Sequence, residues 1–299
     1  MNPNQIAQQF EANRDHLRAV AFRILASTSE AEDAVQEAWL RLHRADASEV
    51  ENLRAWLTTV VARVSLDMLR ARRSRREDAA EDRVLEDAPD DAKRGHPEGE
   101  TLLADSVGLA LLVVLDRLSP SERIAFVLHD LFDVPFGDIA RIVECSPEAA
   151  RQLASRARRR VRGSEDNEDA DFVRRRQIAE AFFQASRDGD FGGLLHVLAP
   201  DVVNRVDAFA APPNGLEIRG ATKVAKAASG YTQRNPSRAL AFIDGEIGVI
   251  VAPQGRLQIA LLLTFANDKI SAMQIVTDPA RLAQLEIRVL DVAPTGVNE

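Results

Sequence analysis

From Gln5 to about Arg76 the apolar residues recur at intervals of three and four, the spacing that lays a single apolar stripe along a helix. Strand-like alternation is absent there. Phe10, Leu17, Val20, Ala21, Ile24 and Leu25 fall on one face of a first helix. Ser29 fits an N-cap, and Glu32 three residues later completes a capping box for a second helix through Leu42. A break from Ala45 to Glu51 precedes a third helix, about Leu53 to Arg75, with Trp56, Leu57, Val60, Val61, Val64, Met68 and Leu69 on its apolar side. Four further helical segments begin with Leu102–Leu118. Ser119-Pro120-Ser121-Glu122 joins an N-cap serine, a proline at the first helical position and a box glutamate, marking the start of the helix through Leu131. Pro135 opens a short helix to Val143, and Ser146-Pro147 opens the last, to about Arg162.

Beyond Gly163 the pattern changes. A helix near Asp171 to Arg187 precedes alternating or β-branched runs at Val202–Phe209, Ala239–Ala252, Arg256–Phe265 and Lys269–Val276. Asp244-Gly245, Gln254-Gly255 and Asn267-Asp268 separate them as hairpin turns do. This is a separate α+β domain.

At 299 residues the chain is long enough for two or three folded units, and 45% hydrophobic residues give each a core. The longest apolar run, Val107–Leu115, falls well short of the ~20 residues of a membrane span. The first residues lack the basic-then-apolar order of a secretory signal, so a cytoplasmic protein with no membrane contact is expected. A single cysteine, Cys145, excludes an internal disulfide, and five scattered histidines suggest no zinc site. Neither metal nor cofactor is expected.

The net charge of −8 speaks against indiscriminate nucleic-acid binding, yet the charges are segregated. Arg63, Arg70, Arg72, Arg73, Arg75 and Arg76 form one basic stretch, and Arg151, Arg156, Arg158, Arg159, Arg160 and Arg162 another. Between them Glu77–Glu100 is rich in Asp and Glu and broken by Pro89, Gly95, Pro97 and Gly99, a linker composition.

The helices Pro135–Val143 and Pro147–Arg162, joined by a three-residue turn, have the form of a helix-turn-helix. On the second, Ala150, Leu153, Ala154, Ala157 and Val161 share one face. Arg151, Gln152, Ser155, Arg158 and Arg159 then face outward, offering guanidinium and amide groups to phosphates or base edges in a major groove. A solvated basic face on an ordinary helical hairpin would have the same local pattern.

Taken in order, AEDAVQEAWLRL (Ala31–Leu42), LRAWLTTVVARVSLDMLRARRSRRE (Leu53–Glu77) and LSPSERIAFVLHDLFDVPFGDIARIVECSPEAARQLASRARRRV (Leu118–Val161) resemble regions two and four of an extracytoplasmic-function sigma factor of the sigma-70 family. The resemblance implies core RNA polymerase and promoter DNA as partners. It places Asp33, Gln36, Glu37 and Arg41 on the surface that grips the polymerase, with Val35, Ala38, Trp39 and Leu42 as core. The break from Ala45 to Asn52 resembles the loop that captures a flipped base of the minus-ten element. Arg63, Arg70, Arg72 and Arg73 would follow the minus-ten DNA, and Arg151, Gln152, Ser155, Arg158 and Arg159 would read the minus-thirty-five element. Cys145, Trp39 and Trp56 are expected to pack.

The stretch from Asp171 to Glu286 resembles a SnoaL-like, cone-shaped α+β barrel of the nuclear-transport-factor (NTF2-like) superfamily, carried by FVRRRQIAEAFFQASRDGDFGGLLHVLAPDVV, RGATKVAKAASG and VTDPARL. The whole is then multidomain: sigma region 2 over 1–77, an acidic linker 78–100, region 4 over 101–163, a linker 164–170, the SnoaL-like domain 171–290 and a tail 291–299. Some relatives of that fold use pocket carboxylates as bases, and Asp201, Asp207, Asp244, His196 and Tyr231 are the candidates here. Each also has an ordinary turn or packing role, and no enzymatic activity is expected. Sigma factors with this extension usually carry a tryptophan- and proline-containing motif after the second basic region and a glycine-rich segment in the barrel. EDAAEDRVLEDAP and Val206–Ala211 depart from both.

Three functions follow, the third being an enzyme fused to a DNA-binding module, which turnover by the isolated barrel would support. The first is an alternative sigma factor whose C-terminal domain contacts regions 2 and 4 and modulates its activity. The second is a one-component DNA-binding regulator whose barrel senses a ligand, and such a protein would bind its operator without polymerase.

Overall fold

The computed structural model describes residues 3–44, 52–81, 106–162, 170–207, 209, 216–232 and 237–290. These residues fall into two compact units. One holds the residues up to 81 together with 115–160; the other holds 106–114 and 161–290.

The first unit begins with α1 (Pro3–Leu25), α2 (Thr28–Arg44) and α3 (Leu53–Glu81), each packed on the other two. Leu17, Ile24, Leu25, Leu42, Leu57 and Leu66 are fully buried between them, as the three-four spacing requires. The start of α2 differs from the sequence expectation. Ala26 turns into the left-handed region (φ 56°), and Ser27, two residues earlier than expected, accepts the Glu30 N–H. The sequence carries Ser-x-x-Glu in both registers, 27–30 and 29–32. The one that is not at the cap leaves Glu32 to pair with Arg14 and Arg18 at 3.5 and 3.2 Å.

Helix α4 (Ser106–Asp116) carries an apolar run with Leu109, Leu112 and Leu115 all essentially inaccessible, and a helix with so few polar positions must be buried on every side. Through Val114 it groups with the second unit, so the compact division does not follow the sequence boundary at 101.

Helix α5 (Pro120–Phe126) starts with the capping box read from the sequence: Glu122 N–H donates to the Ser119 hydroxyl, and the Glu122 carboxylate accepts from the Ser119 N–H. Losing such a cap costs about 1 kcal/mol. The helix widens into a π-type turn at Val127–Leu131. Next come α6 (Phe136–Val143) and α7 (Pro147–Arg162), and α3 packs against both α5 and α6.

The second unit opens with α8 (Ala170–Asp188) and α9 (Phe191–Val197), followed by β1 (Leu198–Val206), β2 (Leu216–Arg219), α10 (Ala221–Thr232), β3 (Arg238–Ile243), β4 (Glu246–Val251), β5 (Ile259–Ala266), β6 (Lys269–Val276), α11 (Pro279–Gln284) and β7 (Ile287–Arg288). The seven strands form one sheet in the order β2-β1-β6-β5-β4-β3-β7, antiparallel except where β1 runs parallel to β6. Asp244-Gly245 and Asn267-Asp268 have positive φ at both positions, the conformation that a tight hairpin matched to strand twist demands. β1 begins four residues earlier than expected. The short strands β2 and β7 carry too few residues to show alternation and were not foreseen. Ala179, Phe182 and Ala185 of α8 and Val224 of α10 pack on Val202, Leu263 and Met273 of the sheet.

Candidate nucleic-acid interface

On α2 the 3.6-residue period turns Val35, Ala38 and Leu42 into the bundle, leaving Asp33 and Gln36 exposed on the far side. Glu37 and Arg41, one turn apart, join through an Arg41 Nε–H to Glu37 Oε1 hydrogen bond of 2.9 Å. Between them stands Leu40, 41% exposed, an apolar side chain in the middle of a polar face. Its place seven residues after Asp33 and four after Gln36 was legible in the sequence, but only the three-dimensional face gives it meaning. Trp39 was expected in the core. It is half-buried instead, its ring 4.8 Å from Phe10 and 4.2 Å from His43. Trp56 is half-buried too.

Of the arginines assigned to the minus-ten element, Arg63, Arg70 and Arg73 are exposed on α3. Arg72 is not placed with them. Its guanidinium turns back into the bundle onto Glu30 and, at 3.4 Å, the Leu25 carbonyl, where it ties the end of α1 to α2 and α3. Asn52 is exposed and caps α3, its side-chain oxygen accepting from Ala55 N–H at 3.0 Å. The base-capture loop lies outside the described residues except for Asn52, and the acidic linker lies outside them from residue 82 onward.

The helix-turn-helix has the predicted three-residue turn. Glu144 enters the left-handed region (φ 61°), its N–H closing α6 on the Ala140 carbonyl, and Cys145 N–H bonds the same carbonyl at 3.0 Å. Ser146 then accepts from Ala149 N–H at 3.1 Å to start α7. Cys145 is half-buried, donating to the Ser146 carbonyl. Ala150, Ala154 and Ala157 are fully buried, as the sequence pattern requires, while Leu153 is only partly covered.

The outward face of α7 is narrower than the sequence suggested. Arg151, Gln152, Ser155 and Arg159 are exposed. Arg158 instead folds back onto Asp130 of the π-type turn. Arg156 and Arg160 reach the buried Glu122 at 3.4 and 3.0 Å. Burial would raise the Glu122 carboxyl, but hydrogen bonds from Ser119 and the two guanidinium groups outweigh it and hold the carboxyl below the usual range. The helix start and the middle of α7 are thereby locked together by one carboxylate. Arg151 is steered by Glu148 at 3.2 Å and by the Phe136 ring, 5.6 Å away.

Regions 2 and 4 touch directly. Arg63 Nη2 donates to the Arg141 carbonyl of α6 at 3.0 Å. His16 of α1 lies edge-on to Phe132 at 5.5 Å while bonding Thr58 at 3.2 Å and Arg54 at 3.0 Å. Spacing along the chain carries no signal for this cluster, because His16 lies 38 residues from Arg54 and 42 from Thr58.

The described candidate bases of the C-terminal unit each have their own surroundings. Asp201 and His196 are exposed. Asp244 Oδ1 accepts from Glu286 N–H at 2.7 Å. Burial would raise Asp207, yet the Thr277 side chain and the N–H groups of Asp278 and Thr277 hold its carboxyl low, in a structural turn. The Tyr231 side chain lies outside the described residues.

A helix-turn-helix with a basic outer face after a three-helix bundle that presents a mixed apolar and acidic face is the layout of a promoter-recognition factor, and the family models agree. Sigma-70 region 2 matches residues 9–75, and Sigma-70 region 4 matches 108–161. The ECF RNA polymerase sigma factor SigJ of Mycobacterium tuberculosis is 34% identical, over 96% of each chain. The probable ECF RNA polymerase sigma factor SigI of the same species is 32% identical, over 94% of this chain and 96% of its own. A crystal structure of the SigJ protein aligns over 92% of this chain and 98% of its own, with 32% identity and a TM-score of 0.44. The chain belongs to the extracytoplasmic-function RNA polymerase sigma factors. Its likeness to the SigJ and SigI proteins runs through the C-terminal unit as well as the helical regions.

Among the described residues, no helix is long and apolar enough to cross a membrane.

Proposed function

We propose that this sigma factor acts in the cytoplasm, binds core RNA polymerase through the face of Asp33, Gln36, Glu37, Leu40 and Arg41, and reads its promoters with two separate surfaces. Arg63, Arg70 and Arg73, with Asn52 at the loop edge, face the minus-ten DNA. Arg151, Gln152, Ser155 and Arg159 face the minus-thirty-five element, where a bidentate arginine or glutamine contact discriminates bases by ~1–3 kcal/mol. Arg158 and Arg72 act instead as internal struts. No reaction is assigned to the protein.

The observation that carries the regulatory part of this reading is the contact between regions 2 and 4. The two promoter elements lie roughly 25 base steps apart, about 85 Å of duplex at 3.4 Å per step. Helix α3, 29 residues long, spans only about 44 Å at 1.5 Å per residue. With Arg63 bonded to Arg141, both elements cannot be reached at once. This arrangement is a closed form, and binding core polymerase draws the population to an open one by differential affinity. The C-terminal unit modulates that balance.

Labels on exposed Arg70 and Arg159 test the reading by energy transfer on the full chain. Core polymerase is expected to lengthen the distance, and a run-off assay on a promoter library to show selective transcripts. An unchanged distance in a transcribing complex would remove the closed-form account, and absence of core binding would remove the polymerase surface.

A further inference from the structure

The helix-covered face of the C-terminal sheet holds a cavity of about 200 Å³, bounded by α8 and α10 and by strands β1 to β6. Its floor is one row of side chains across five strands. Strand register aligns Leu216 of β2, Val206 of β1, Ile275 of β6, Leu261 of β5 and Val249 of β4, and all five line the cavity. The row begins buried at Val249, 5% exposed, and ends at Leu216, 46% exposed, where the lining meets the surface. From the helical side α10 presents Ala228, whose side chain is too short to fill the space that a phenylalanine would occupy. Packed interiors rarely leave voids larger than a water molecule, and the cost of a void grows with its volume. An apolar void of ~150 Å³ stays dry and accommodates benzene, so this one takes a substituted ring.

Three polar side chains belong to the lining, Ser186, Asn204 and Arg238, and none of them marks a polar ligand. The Ser186 hydroxyl donates to the Phe183 carbonyl at 3.1 Å. Asn204 stands in the next row of the sheet, between Ile218 and Met273. Its Oδ1 has no hydrogen-bond partner among the described residues, but the atom is covered and beyond the reach of a molecule in the cavity. That oxygen destabilises the wall without serving a ligand, and a leucine there would pack as its neighbours do. The Arg238 guanidinium stands 5.6 Å from the centre of the Phe183 ring and is engaged within the protein. All the other lining residues are apolar, so a charged or strongly hydrogen-bonding solute would give up its water without replacement.

We propose that this cavity binds a small neutral, hydrocarbon-like molecule, a substituted aromatic or alicyclic ring, which enters past Leu216 and is held by shape and apolar burial. With no carboxylate or histidine among the described lining residues, it is a binding site and not a catalytic one. The site lies within the C-terminal unit and is tested by binding alone, so its failure leaves the sigma assignment standing.

The test is calorimetry and thermal denaturation of the full chain with three probes of matched shape: para-xylene, para-cresol and the anion para-toluate. Saturable binding is expected, strongest for para-xylene and at least tenfold weaker for para-toluate, and para-xylene should raise the melting temperature. Ala228→Phe from the helical side and Ile275→Phe from the floor fill the same space, so a variant that fails to fold leaves the other to report. Each is expected to weaken para-xylene at least tenfold. Asn204→Leu should change para-xylene affinity less than threefold while raising the melting temperature of the ligand-free protein. No saturable binding by the folded wild-type chain, either polar probe bound as tightly as para-xylene, unchanged para-xylene affinity in a folded filling variant, or a tenfold loss in Asn204→Leu would overturn the proposal.

Discussion

Helix α7 and the cavity of the C-terminal sheet display the same three chemistries, Arg151, Gln152 and Ser155 in one and Arg238, Asn204 and Ser186 in the other. On α7 they stand in water, where a polar side chain is ordinary and by itself signals little. In the cavity an amide sits among aliphatic side chains with an oxygen that has no partner among the described residues, which is costly and therefore informative. The exposed set acquires meaning from its surroundings, the turn at Glu144 and the buried alanines that fix its direction. The buried set carries its meaning in a single position.

The sharpest way to break this comparison is to move a charge from one side of α7 to the other. Ala154 is fully buried. Ala154→Glu places an unpaired carboxylate in the domain interior and should destabilise it by several kcal/mol, ~3–5 or more. Gln152→Glu, two residues away and exposed, should change stability by no more than ~0.5 kcal/mol. Chemical denaturation followed by circular dichroism reads both. Similar losses in the two variants would mean the helix is rotated from the orientation described.

A step smaller are the promoter contacts. Arg151→Ala and Gln152→Ala should each shift or relax minus-thirty-five preference by ~1–3 kcal/mol, while Arg159→Ala weakens all sequences alike. Transcription from a randomised promoter library measures this. Unchanged preference in both variants would remove the reading role of α7. Arg158→Ala, in contrast, should act through stability, because its guanidinium holds Asp130.

Much of this helix was legible in the sequence, and the reason is periodicity. Alanines at 150, 154 and 157 leave one direction for the remaining side chains. The sequence could not divide the outward arginines into those facing solvent and those bound to Glu122 and Asp130, because the partners lie 28 to 38 residues away. The same limit hid Arg72's attachment to Glu30. In the C-terminal unit the hairpin turns were readable from Asp-Gly and Asn-Asp pairs. Asn204 was not, since an asparagine near a strand end looks like any other until Ile218 and Met273 flank it.

On α2 the comparison recurs in reverse, with an exposed apolar residue among polar ones. Leu40→Ala should weaken core polymerase binding by about 1 kcal/mol or somewhat more, the threshold that separates an anchoring residue from its neighbours. Charge reversal at Asp33 and Glu37 should add to the loss without reducing helicity. Retention of wild-type affinity by the triple variant in a quantitative pull-down would displace the polymerase surface from this face.

The smallest expected effect concerns His16, polar and half-buried where regions 2 and 4 meet. Burial, and then the charge of Arg54, lower its pKa from the ordinary value near 6.5. Its Nδ1 lies 3.0 Å from an Arg54 guanidinium nitrogen, so the neutral ring accepts that donor, and protonation replaces the acceptor with a second cation. Asp133 and Asp138 line the same groove. Opening removes Phe132 from the ring and lets the pKa rise toward its ordinary value, so the open form takes up the proton first. The closed arrangement therefore keeps the full contribution of His16 above about pH 6.5 and loses it as pH falls from there through the lowered value. The energy-transfer distance between labelled Arg70 and Arg159 should lengthen modestly between pH 7.5 and 5.5 in the wild type and stay level in His16→Gln. The same pH response in both proteins would assign the effect to other groups and leave His16 a packing residue.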